Sequence, residues 1–171
     1  MQIPEVDEVP MRRLITVVVF AVLAMALFVG GWISGRMGIG RVVDTASLTD
    51  AERQFAERMR NVTMVGTFTM WGREERTPRT DRYEIASVEK IGDDLWRFNT
   101  KMDCCGLNGA SVPIAVPMRW IGDTPVIMMT DTGLPGIGTY TVRVFFHGDH
   151  YAGTWQNPKV GGFMSGRIER K

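Results

Sequence analysis

Residues 139–156 read TYTVRVFFHGDHYAGTWQ. Tyr140, Val142, Val144 and Phe146 alternate with Thr139, Thr141, Arg143, Phe145 and His147. This two-residue period places one set of side chains on each face of a strand. Gly148-Asp149 is a hairpin signal, and Tyr151 to Gln156 returns as a second strand. The same grammar extends in both directions. Upstream, Val112, Ile114, Val116, Met118 and Trp120 alternate with Pro113, Ala115, Pro117 and Arg119. Proline has no N–H to give a ladder, so Pro113 and Pro117 mark an edge or a locally unpaired strand. Trp96, Phe98, Thr100 and Met102 form one face of a further strand. Tyr83 to Lys90, Val62 to Met70 and the short Val126 to Thr130 supply three more. Downstream, Asn157-Pro158-Lys159 turns the chain and Val160 to Glu169 closes it.

The sum is eight candidate strands about 12 residues apart, with no helical pattern between them. The predicted fold class is all-β: about eight antiparallel strands forming a small meander barrel or sandwich. Charged 72–81, then 103–111 and the GLPGIG run at 133–138, are expected to be loops. Gly153, Gly161, Gly162 and Gly166 would allow sharp bends or close backbone approach where the barrel closes.

Two segments precede the strands. Leu14–Ile33, LITVVVFAVLAMALFVGGWI, has no charged side chain, and twelve of its twenty residues are Leu, Ile, Val or Phe. Twenty helical residues span roughly 30 Å, the thickness of a hydrocarbon core. The twelve contribute on the order of −5 kcal/mol to insertion at mid-membrane values. A core helix would show a polar face, and this run has none. Ala24-Met25-Ala26 resembles a cleavage site, but the apolar run continues past it, so an uncleaved single-pass signal-anchor is expected. Arg12-Arg13 abuts the run and favours a domain outside the cytoplasm, although Arg36 and Arg41 lie at the other end. Closer to the strands, Thr49-Asp50-Ala51-Glu52 matches a capping box. Leu48, Ala51, Phe55, Met59 and Val62 follow at helical spacing. The expected organisation is therefore a disordered tail at 1–13, a transmembrane helix at 14–33, a linker at 34–46, and a helix-plus-barrel domain at 47–171.

From position 34 onward, 18 basic and 16 acidic side chains nearly balance. That argues against nucleic acid, which needs a concentrated basic face. No P-loop, dinucleotide glycine pattern or Gly-x-Ser-x-Gly is present. His147 and His150 flank a turn and would need further donors to hold a metal. Cys104 and Cys105 are adjacent, a spacing that fits neither a metal motif nor a CxxC redox motif. No metal, cofactor or catalytic residue is therefore expected. The methionines and tryptophans recur at inward strand positions. Trp96, Met102, Met118, Trp120, Met128 and Trp155 could line an apolar pocket, since methionine adapts to irregular shapes. They could equally fill a closed interior.

Gly153-Thr154-Trp155, Gly161-Gly162 and Gly166-Arg167-Ile168 resemble the closing hairpin of small, uncharacterised bacterial envelope proteins with one N-terminal anchor. In strand number and short turns the β region is similar to lipocalin and avidin-type barrels. In those the Gly-x-Trp signature opens the first strand. Here the first strand has Gly66-Thr67-Phe68, and Gly153-Thr154-Trp155 comes near the end. The lipocalin-like resemblance implies a small ligand inside the barrel. The expected function is a membrane-anchored, non-catalytic binding or accessory module of the envelope, with a small apolar ligand or an envelope protein as partner. The alternatives are a structural subunit of an envelope assembly, contacting through the 48–60 helix, and an enzyme using His147, His150 or the Cys104-Cys105 pair.

Overall fold

A computed structural model of the chain describes residues 11–36, 42–71, 78–102, 109–134 and 137–170. The chain divides into two compact units, Met1–Ile39 and Gly40–Lys171.

The first unit contains α1, Met11–Arg36. Its Ile15–Trp32 window has a mean hydropathy of 2.4 and none of it is buried. A helix this long and this apolar is able to cross a membrane. α1 begins before Leu14 and continues beyond Ile33 because Arg12, Arg13 and Arg36 are themselves good helix formers.

The second unit is a closed barrel. A short 3-10 turn at Thr45–Ser47 leads into α2, Asp50–Arg58. The Thr49–Glu52 capping box is formed: the Glu52 N–H donates to Thr49 Oγ1, and the Thr49 N–H donates to Glu52 Oε2. Eight strands follow: β1 Val62–Phe68, β2 Arg79–Lys90, β3 Leu95–Met102, β4 Ser111–Ile121, β5 Thr124–Leu134, β6 Gly138–His147, β7 His150–Gln156 and β8 Gly161–Arg170. Each pairs antiparallel with the next, and β1 with β8 completes the ring. The all-β expectation is met as a strict eight-stranded meander.

Two strands run longer than their alternation suggests. β2 starts at Arg79, inside the expected charged loop. β5 continues to Leu134 across a bulge between Met129 and Thr132. Asp131 occupies the bulge at a φ of 45°. There the Asp131 N–H donates to Thr141 Oγ1, and the Thr141 hydroxyl donates to Asp131 Oδ1. The prolines of β4 also find their explanation. Pro113 and Pro117 lie opposite Asn99 and Leu95 of β3. The Met118 N–H donates to Asp94 on the β3 side. N–H directions alternate along an antiparallel strand, so both proline nitrogens face β5. The β4–β5 ladder joins only Met118–Ile121 to Thr124–Ile127 and stops short of both prolines.

α2 closes one end of the ring. Phe55 and Met59 have no exposed surface. The Phe55 ring meets Trp96 at 6.1 Å, Trp120 at 5.9 Å, Phe98 at 6.5 Å and Phe146 at 5.3 Å between centroids. Lys90, at the end of β2, bonds Glu52 at 2.6 Å and ties the helix to the rim. Burial works to raise the Glu52 pKa, but the bonds from Lys90 and Thr49 outweigh it and hold the carboxyl below its ordinary range. Truncating Phe55 removes a ring from the centre of this aromatic cluster. Phe55→Ala is expected to lower stability by about 3–5 kcal/mol. Denaturant unfolding of the full chain, followed by tryptophan fluorescence, measures it; a loss of about 0.5 kcal/mol, as at a surface position, would show the plug to be dispensable.

Candidate ligand-binding cavity

Inward positions are set by alternation along each strand. On β1 they are Met64, Gly66 and Phe68; on β8, Gly162, Met164 and Gly166; on β7, Tyr151, Gly153 and Trp155. Four of these nine positions are glycine, and the barrel stays hollow beyond the α2 plug. A cavity of about 420 Å³ results, within the range of small-molecule sites. Phe98 and Phe146 border it on the side toward Phe55. Met70, Ile137, Asn157 and Val160 border it at the opposite end of the barrel. Between them the lining is almost wholly apolar, with Ile85, Met102, Ile114, Val142 and Trp155 among its residues.

One row of the wall is polar. Strand register aligns Asp81 with Gly66, Gly66 with Gly166, and Gly166 with Tyr151. A Cβ placed on Gly66 would lie 2.4 Å from the Tyr151 hydroxyl, and one on Gly166 would lie 2.7 Å from it. The tyrosine therefore crosses two strands through the space left by two glycines. Its hydroxyl donates to Asp81 Oδ1 at 3.2 Å. Both residues are buried, Tyr151 at 1% exposed and Asp81 at 3%. Burial pushes the Asp81 carboxyl above its ordinary range; bonds from Tyr83 and Tyr151 offset this only in part. Burial, and then the charge of Asp81, push the Tyr151 hydroxyl far upward as well.

Among the described residues, three that line the cavity keep a buried polar atom without a hydrogen-bond partner: Asp81 Oδ2, Thr100 Oγ1 and Trp155 Nε1. Such atoms cost about 1–3 kcal/mol each. Among the described residues that line the cavity there is no lysine, arginine or histidine.

Of the six pocket residues expected from sequence, Met102 and Trp155 line this cavity. Trp96 and Met118 are buried toward α2, and Trp120 is half-buried against Phe55. Met128 is 39% exposed. The structure thus brings Trp96 and Trp120 together beside Phe55, separates Trp155 from them, and leaves Met128 outside. Asp81, Tyr83, Thr100 and Tyr140 line the cavity but were not singled out. The Asp81-Tyr83-Ile85 alternation was the available signal. His147 and His150 are register partners at the exposed β6–β7 tip. No cluster of three His, Cys, Asp or Glu side chains suited to a metal occurs among the described residues. Cys104 and Cys105 lie outside the described residues. A comparison with protein-family models and with curated proteins finds no match to this chain.

An ionised Asp81 destabilises the fold, because its carboxyl is held above the ordinary value of 3.8. The stability that protonation confers is complete below that value and is lost as pH rises through the folded-state pKa. Asp81→Asn keeps the shape and the acceptor for Tyr151 but carries no charge. The variant should therefore melt at a higher temperature than the native chain at pH 7, and the difference should vanish below the ordinary carboxylate range. Paired melting curves across pH measure this; a variant less stable at neutral pH would contradict it.

Proposed function

We propose that this chain is a membrane-anchored, non-catalytic binding module of the cell envelope whose barrel holds a small apolar ligand. The observation that carries this reading is the 420 Å³ cavity with its nearly unbroken apolar lining. An apolar occupant that fills this cavity gains free energy at about 25 cal/mol per Å² removed from water. α1 supports the anchoring half of the reading, as an uncleaved single-pass helix with the barrel on the outer side of the membrane. α2 supports the binding role over a structural one: Phe55 and Met59, on its apolar face, are buried within its own unit and are not left for a partner.

Filling the chamber tests the proposal. Val142 lines the cavity and lies opposite Trp155 in the β6–β7 register. Val142→Trp is expected to weaken apolar probe binding at least about tenfold while the barrel still folds. Native mass spectrometry of the full chain released from lipid nanodiscs would show a retained apolar mass on the native protein and little on the variant. Equal retention by both would place the probe elsewhere and defeat the reading.

A further inference from the structure

The wall of the cavity also bears on what kind of apolar ligand it takes, an inference that rests on the binding role proposed above. Tyr151 holds Asp81 Oδ1 in place, and the two glycines beneath the tyrosine fix the direction of that contact. Oδ2 of the same carboxyl is buried and has no hydrogen-bond partner among the described residues. A wholly apolar ligand would leave it so, and a site built around a buried polar atom discriminates against ligands that cannot satisfy it. An anionic head fares worse. It would meet the carboxyl of Asp81, and the described lining residues include no basic side chain to neutralise it.

We infer that the ligand is an amphiphile: an apolar chain ending in an uncharged or cationic hydrogen-bond donor, an alcohol or an ammonium group, seated against Asp81 Oδ2. The apolar chain fills the chamber lined by Ile85, Ile114, Val142 and Met164. Asp81 accepts from the head group, as a counter-ion to an ammonium or as a hydrogen-bonding partner to an alcohol. A fatty-acid carboxylate is rejected.

Four probes with one chain length separate these chemistries: decylamine, decanol, decanoate and methyl decanoate. The last has acceptors but no donor. Each is offered to the full chain in lipid nanodiscs, and retention is read by native mass spectrometry. Decylamine, decanol or both should be retained in preference to decanoate. In Asp81→Asn that preference should fall about tenfold, the worth of a bond to a charged or buried partner. Methyl decanoate should bind the two proteins alike, which reports that the chamber is intact. The variant should also be no less stable at neutral pH, whereas a purely structural Asp81 would lose stability and all four probes together. Retention of the amine alone identifies a counter-ion role, and retention of the alcohol alone a neutral one. A preference for decanoate, or equal retention of all four by both proteins, overturns the donor-head assignment and leaves the cavity reading standing. Retention of none by the native chain overturns both.

Discussion

Phe55 meets Trp96, Phe98, Trp120 and Phe146 inside one end of the barrel, and the rest of the interior is arranged around that contact. An eight-stranded ring is just wide enough for its own side chains to fill. Here two tryptophans and two phenylalanines gather at the α2 end, where a helix brings a further phenylalanine into the ring. Beyond it, Gly66, Gly153, Gly162 and Gly166 take inward positions beside Phe68, Met164 and Trp155. The hollow lies where these glycines leave the wall without side chains. The capping box at Thr49 and the Glu52–Lys90 bond serve the same contact, since both fix the angle at which α2 presents Phe55.

The Asp81–Tyr151 pair is the second constraint. A carboxyl buried with no basic side chain among the described residues lining its cavity is unfavourable, and its pKa rises accordingly. Four strands nevertheless place their residues to create it: β7 supplies the tyrosine, β8 and β1 the two glycines, β2 the acid. Replacing either glycine would push a Cβ into the tyrosine hydroxyl. Local instability maintained by several coordinated positions is the pattern expected of a binding site rather than of a packing core.

Much of this architecture was legible in the residues. Period-two alternation and turn chemistry are local, so eight strands in meander order could be read without knowing the fold. The capping box is equally local. The site was harder to read, for reasons that are physical. Alternation tells which face a side chain takes but not its height along the barrel axis. Trp96 and Trp155 therefore look alike in sequence, yet one packs toward the plug and the other lines the hollow. In Val126-Ile127-Met128-Met129 every residue is apolar, so the phase of the strand has no marker; the structure buries Met129 and exposes Met128. Asp81 was hidden by its neighbours, because a run of charges from 73 to 82 reads as solvated surface until Gly66 and Tyr151 are known to lie beside it.

Pro113 and Pro117 carry a consequence beyond the geometry of β4. Where β4 parts from β5, its backbone is left as a strand edge within an otherwise closed ring. An edge with free donors can template a strand from another chain, the first step of aggregation. Both prolines stand on the side that faces the gap, and each removes one of the donors such a templated strand would need. The barrel can thus leave part of one seam unzipped without offering that seam to its neighbours.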